Sequence, residues 1–242
     1  MSIKNTSGLS ESVFSSKSGE YDRHYQELKS RYSKEKRERL RLALKNISSD
    51  SVQNQIVDIG CGTAILLTKL LDEGKALGYV GVDSSIGMLE VAKEKVSKDY
   101  PNFFAEFFND TLELGARKFD YVVSLGVIGY QENHMTFLNQ LSGLLSQGGD
   151  SRIIMTCGNG SSFIRKLLEF IQSKRHLNKL LYRYTPSNLI KLWLHDKELR
   201  VSERQFLLPI LPLLPVVYRG DRKIIQMFYM TQFLVVSKAN VH

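Results

Sequence analysis

The chain has 242 residues, 43% of them hydrophobic and 10% aromatic, which is enough for one large core and lies outside the composition of disordered segments. No window approaches the ~18 uninterrupted apolar residues that span a bilayer, and the opening MSIKNTSGLSESVFSSKSGEYD has no apolar stretch of signal-peptide type, so a cytoplasmic protein is expected. A formal charge of +8 brings nucleic acid, an anionic membrane or an anionic small molecule into view, whereas two cysteines, Cys61 and Cys157, with no CxxC pair or His/Cys cluster, argue against a structural metal or a disulfide.

Residues 1–18 are Ser-, Lys- and Asn-rich and read as a flexible arm. From 19 to 45 the pattern is helical, with Tyr21, Tyr25, Leu28, Tyr32, Leu40 and Leu44 on one side. The basic run KSRYSKEKRERLRLALK within it reads as a solvated helix face backed by aliphatic residues. An alternation of strands and helices fills 53–157: IVDIG, YVGVD, FFAEFFND, FDYVVSLG and SRIIMTC as strands, with AILLTKLLDEG, SSIGMLEVAKEKVSKDY and HMTFLNQLSGLLSQGG as helices. Short apolar strands separated by helices predict an α/β fold, a mostly parallel sheet covered on both faces. Residues 158–200 carry two helices and the second basic run IRKLLEFIQSKRHLNKLLYR. They are expected to form a cap over the carboxyl ends of the strands, where open α/β sheets hold ligands. The final strands occupy 201–242, within which the prolines of FLLPILPLLPVV (Pro209, Pro212 and Pro215) are expected to bar a regular strand or helix.

The stretch QNQIVDIGCGTAILL is a strand, a glycine turn and a helix. Gly60 and Gly62 permit a sharp corner and a close ligand, and the corner alone leaves three readings open: a dinucleotide, another adenosine cofactor, or a plain turn. Ile65 stands where a dinucleotide fingerprint has glycine or alanine, and argues against that reading. Asp83, ending the second strand, can accept both hydroxyls of a ribose. Met88, about one turn into the next helix, offers a thioether to a purine or simply packs in the core. Asp110, in Asn109-Asp110-Thr111, is suited either to an exocyclic amine or to capping the following turn.

These stretches, VDIGCGTA, GVDSSIGMLEVAKEK, FFND, FDYVVSLGVIGY and LSGLLSQGGDSRIIM, together resemble the class I S-adenosylmethionine-dependent methyltransferases of the small-molecule branch (UbiE/UbiG-like), over residues 53–157. The resemblance implies a Rossmann-like seven-stranded sheet with a reversed final hairpin and S-adenosylmethionine bound across the strand tips. It places Asp58, Gly60, Cys61 and Gly62 at the methionyl part, Asp83 and Ser84 at the ribose, and Met88, Asn109, Asp110 and Thr111 around the adenine. Leu125 and Gly126 fall at the sulfonium, and Tyr21 in an N-terminal lid, 19–45, over the methionine carboxylate. Two departures are visible: Ala64 stands where the family often has a third glycine, and Gln147-Gly148-Gly149 replaces Pro-Gly-Gly.

The family's base-methylating members carry an Asn/Asp-Pro-Pro-aromatic motif after strand four, and SLGVIGY stands there instead. Nucleic acid is therefore not the expected acceptor; a small apolar or anionic metabolite is, methylated on O, N or C. The alternatives are an RNA or protein methyltransferase, or a protein that binds the cofactor without turnover. Tyr130 and His134 follow strand four, where an acceptor enters, and with His24 on the lid are the candidates for proton removal. The competing reading of His134 is a solvent-facing residue at a helix start. The apolar run with its basic neighbours, 206–223, is read as a wall for a greasy acceptor, a peripheral membrane contact, or a connection over the core.

Overall fold

The computed structural model describes residues 22, 30–48, 55–75, 78–160, 162, 185, 187–209, 214–215, 217–226 and 229–239. Helix α1 (Arg31–Asn46) precedes an alternation of β1 (Gln55–Ile59), α2 (Ile65–Asp72), β2 (Gly78–Val82), α3 (Ile86–Asp99), β3 (Ala105–Phe108), β4 (Tyr121–Leu125), α4 (His134–Leu144) and β5 (Arg152–Gly158). Then come α5 (Ser187–Asp196), β6 (Leu199–Pro209), β7 (Val217–Tyr218), the single turn α6 (Lys223–Gln226) and β8 (Tyr229–Lys238). The sheet order is β3-β2-β1-β4-β5-β8-β6-β7. Strands β1 to β5 are parallel, and β8 runs antiparallel between β5 and β6.

Alternation along β1 sends Val57 and Ile59 to one face of the sheet and Ile56 and Asp58 to the other. The first face packs Val57, Val80, Val122 and Met155 against Phe137 and Leu141 of α4 and Trp193 of α5. The second packs Ile56, Tyr79, Val123 and Ile154 against Leu42 and Leu44 of α1 and Leu66, Leu67 and Leu70 of α2. Each fully buried Leu or Ile in these layers contributes roughly 1.5–3 kcal/mol relative to exposure. The helices are capped locally: Ser30, Ser85 and Asn133 accept from the amides of Ser33, Met88 and Thr136 to start α1, α3 and α4.

The structure differs from the sequence reading in four places. The sheet has eight strands, because β6 and β7 form a hairpin in which Phe206 pairs with Tyr218 and Leu207 with Val217. The first third of the proline run is thus regular strand: Pro209 is the last residue of β6, a position where a missing N–H is tolerated. Residues 210–213 and 216 lie outside the described residues. Within the expected cap, α5 packs on α4 and β6, with Trp193 and Ile190 in the core and Trp193 Nε1 donating to Ser142 Oγ at 3.4 Å. This described part of the expected cap is a sheet-covering helix, and β6 already begins at Leu199; residues 161, 163–184 and 186, with the second basic run, lie outside the described residues. Lastly, α1 lies against β4, β5, β6 and α2, and its basic run is a solvated face only in part: Lys34, Arg41 and Lys45 are exposed, whereas Glu35, Lys36 and Arg39 are buried.

Candidate active site

The site is built at the carboxyl ends of β1, β2 and β4. At the end of β1 the N–H groups of Gly60 and Cys61 both donate to the Val82 carbonyl, at 2.7 and 3.1 Å, which folds the chain back over the tip of β2. The turn then runs left-handed at Gly60 (φ 79°), Gly62 (φ 54°) and Ala64 (φ 57°), the last being the N-cap of α2. Glycine is required at 60 on two grounds: the positive φ, and a methyl there would lie 2.1 Å from Val127 Cγ2. Ala64 has no exposed surface and its methyl belongs to the second core face.

Asp83 follows β2 and is held by this turn. Its Oδ2 accepts from Gly62 N at 2.8 Å and its Oδ1 from Ser85 N at 2.9 Å. Each carboxylate oxygen has two lone pairs, so both keep acceptor capacity for hydroxyl groups brought to the strand tip. Asp58, on the second face of β1, is buried and accepts from the Tyr79 hydroxyl at 2.8 Å. Burial is the main cause that raises its carboxyl to about 7; the Tyr79 hydrogen bond and the Arg39 charge oppose this and Asp83 adds to it. Burial likewise raises Asp83, against the pull of the Ser85 and Gly62 amides. Cys61 is buried in the same corner, its thiol pushed well up by burial and by the two aspartates, so it stays a thiol and not a thiolate.

The other expected residues are distributed unevenly. Leu125 and Gly126 end β4, with Gly126 at φ 84° and its N–H donating to Thr156 Oγ1 at 2.7 Å. Ser84 is half-buried beside Asp83, but the capping hydroxyl is that of Ser85. Met88 is 2% exposed and packs in the interior, the second of its two readings. Asp110 caps the 3-10 turn Thr111–Leu114: its side chain accepts from Leu112 N at 3.0 Å while Glu113 accepts from the amides of Asn109 and Asp110. Asn109 is exposed and Thr111 half-buried.

Tyr130 closes a second 3-10 turn, Ile128–Tyr130, and is half-buried. His134 does start a helix, yet it is 8% exposed and does not face solvent. Tyr21 and His24 lie outside the described residues. Their neighbour Asp22 is described: it accepts from Thr63 Oγ1 in the glycine turn and from Lys95 Nζ of α3 at 2.8 Å.

Sequence reasoning missed Asp22, Thr63, Ser85, Tyr79 and Arg39. Tyr79 was findable, since β1–β2 pairing in parallel register sets an aromatic with a polar tip beside Ile56, on the face that carries Asp58. Arg39 had no such signal. It sits one turn after Glu35 and Lys36, and a methyl on Gly126 would lie 2.6 Å from its Nη1, so the α1 guanidinium reaches the tip of β4. Burial raises the Glu35 carboxyl, and burial together with the Arg39 charge lowers Lys36 to about 8.

Residues 57–151 match a family model described as a methyltransferase domain. A malonyl-[acyl-carrier protein] O-methyltransferase of Priestia megaterium is 32% identical over 107 residues, 44% of this chain and 38% of that protein. A tRNA U34 carboxymethyltransferase of Alcanivorax borkumensis is 29% identical over 98 residues, 40% of this chain and 30% of that protein. These matches therefore span well under half of the relatives' own lengths. Among solved structures, the magnesium protoporphyrin IX methyltransferase of Synechocystis PCC 6803 with bound SAH superposes with a TM-score of 0.70 at 16% identity, over 96% of this chain and 99% of that one. That similarity is one of fold.

Proposed function

We propose that this chain, which matches a methyltransferase domain at 57–151, is a class I S-adenosylmethionine-dependent methyltransferase that methylates an oxygen of a small acidic acceptor. The observation that carries the reading is the tie between Asp83 and Gly62, which fixes a carboxylate with spare lone pairs at the ribose position beside a left-handed glycine turn.

The donor set fits the cofactor. Asp83 would take the ribose hydroxyls. The turn from Gly60 to Gly62, with Cys61 between them, has its amides engaged by Val82 and Asp83 and would let the methionyl end approach the backbone closely; the buried Asp58 would meet that end, where a cationic group favours the ionised form of a carboxyl otherwise raised to about 7. The half-buried strand tip at Leu125 and Gly126 would line the reacting end. Ser84, Asn109, Asp110 and Thr111 would frame the base edge by main chain as well as side chain, since Asp110 also holds its own turn. Met88 would support this wall from beneath, and Tyr21, next to the anchored Asp22, would close the tail.

Bound S-adenosylmethionine supplies an electrophilic methyl on sulfur. The protein's work is then to align the nucleophile and exclude water. A carboxylate acceptor has a lone pair ready at neutral pH and needs no base; a hydroxyl acceptor would call on His134, His24 or Tyr130. The malonyl-[acyl-carrier protein] O-methyltransferase relative supports an oxygen acceptor, which could be free or carried on a protein. An RNA acceptor is the second reading, favoured by the formal +8 and the tRNA-modifying relative. No helix among the described residues is long and apolar enough to cross a membrane; a peripheral contact through 206–223 remains a separate proposal, tested by flotation with anionic liposomes.

The test is calorimetric titration with S-adenosylmethionine and S-adenosylhomocysteine, followed by labelled-methyl transfer to malonyl thioesters and to bulk tRNA. Binding of both cofactor forms with label on the thioester is expected. Absence of cofactor binding would defeat the reading, and label on tRNA alone would replace it by the second.

A further inference from the structure

The outer face of α1 has no part in the chemistry above, and its charges are unbalanced. Lys34, Arg41 and Lys45 are exposed and Arg37 is half-buried; three or four residues apart, they form one ridge about 16 Å long. Arg41 pairs with Glu38 at 2.9 Å. Among the described residues Lys34, Arg37 and Lys45 meet no carboxylate, and Arg37 Nε is shielded from solvent without a hydrogen-bond acceptor. The first turn of α1 holds no acidic residue, although the positive end of a helix favours one and disfavours a cation such as Lys34. The ridge also flanks the site. Asn46 Nδ2 donates to Glu203 Oε2 at 3.1 Å, and Glu203 stands in register, through Val235 and Ile154, with Val123 inside β4. Arg39 has already climbed to Gly126 past the end of β4, so Lys34 lies roughly 7 Å further along the helix axis, beyond the strand tips.

We propose that the α1 ridge from Lys34 to Lys45 docks an acidic protein that carries the methyl acceptor to the strand tips. The inference rests on the methyltransferase reading and names the partner for that site. Carboxylates along one helix face of the partner would meet Lys34, Arg37 and Lys45, and a partner cation would meet Glu38, which fixes the register. A protein fits better than a nucleic-acid strand on two grounds. The described stripe has no aromatic side chain on which a base would stack, and Glu38 in its middle would face phosphate. Attraction of this kind speeds encounter and weakens as salt is added.

The test uses the full chain loaded with S-adenosylhomocysteine and three probes: a small acidic carrier protein bearing a malonyl thioester, the same thioester on free pantetheine, and bulk tRNA. Wild type is compared with the charge-reversed Lys34→Glu/Arg41→Glu/Lys45→Glu protein. Thermal melting reports folding, and Lys34→Gln/Arg41→Gln/Lys45→Gln serves if the reversed protein does not fold. In the expected result the carrier protein binds wild type with an affinity that falls as sodium chloride is raised, and binds the reversed protein ~10-fold more weakly or worse, while S-adenosylhomocysteine binds both alike. With S-adenosylmethionine in its place, KM for the carried thioester rises by the same factor, and kcat and turnover of the free thioester are unchanged. A wild type that does not bind the carrier protein, or a reversed protein that binds it equally well, overturns the proposal. Binding of tRNA that charge reversal abolishes, without carrier binding, overturns it in favour of a nucleic-acid strand. Ridge-dependent carrier binding by a protein that binds neither S-adenosylmethionine nor S-adenosylhomocysteine keeps the docking surface and defeats the methyltransferase reading instead.

Discussion

Asp83 Oδ2 accepts the Gly62 amide at 2.8 Å, so the acid at the end of β2 and the turn after β1 form one rigid unit. Asp83→Asn presents an amide nitrogen or a weaker acceptor to both Gly62 and Ser85, loosening the unit while removing the ribose carboxylate. S-adenosylhomocysteine affinity should fall about 10- to 100-fold, the scale of one or two charge-assisted hydrogen bonds. Methylthioadenosine, which keeps the ribose, should lose the same factor by titration calorimetry; an unchanged nucleoside affinity would remove Asp83 from the ribose.

Asp58 gives a pH signature. Its carboxyl is raised to about 7 in the folded protein from an ordinary value of 3.8. The folded state therefore holds the proton more tightly, and the associated stability is complete below pH ~4 and declines as pH rises to ~7. Denaturant titrations between pH 5 and 8 should show stability falling in wild type and a flatter profile in Asp58→Asn. A cationic donor favours the ionised form, so S-adenosylmethionine binding near pH 6 should release protons, seen as a binding enthalpy that varies with the buffer.

Asp22 joins the segment before α1 to Thr63 and Lys95, with its side chain 34% exposed. A pair this accessible contributes little to global stability, ~1 kcal/mol or less. Asp22→Ala should therefore leave the melting midpoint almost unchanged. Release of the chain beside Tyr21 should nonetheless weaken cofactor binding several-fold and speed proteolysis ahead of Ser30. A melting loss with intact affinity would contradict this division.

Asn159, just beyond β5, has no exposed surface. Its Nδ2 donates to the carbonyls of Gln226 and Tyr229, and its Oδ1 accepts from Gln232 Nε2, all at 2.8 Å. Asn159→Ala would strand two carbonyls and a buried amide, at about 1–3 kcal/mol for each group left unsatisfied. A loss of ~3 kcal/mol or more in unfolding free energy is expected from urea titration, where a surface role would cost under ~0.5 kcal/mol.

Local rules made the β1–β5 alternation and the Asp83 tip readable, because strand periodicity, glycine corners and helix caps are written within a few residues. What escaped depends on distant partners. The Lys/Arg-rich run of α1 looks like a solvated face, and only the assembled sheet shows Arg39 buried at Gly126. Asp110 was ambiguous in principle, since a carboxylate that can meet an amine can equally cap a turn, as it does for Leu112. Pro209 misled because proline is barred from strand interiors but acceptable at the end of a strand, where β6 places it.

The left-handed backbone of Ala64 bears on how this turn tolerates change over time. A non-glycine residue in that conformation carries roughly 1–2 kcal/mol of strain, while burying its methyl returns roughly 0.8 kcal/mol. The return offsets only part of the strain, so glycine would be tolerated here and would gain at most about 1 kcal/mol, and the methyl belongs to the second core face beside α2. Exchange between alanine and glycine at position 64 is thus a small change, in contrast to Gly60, where Val127 and the backbone together admit no side chain.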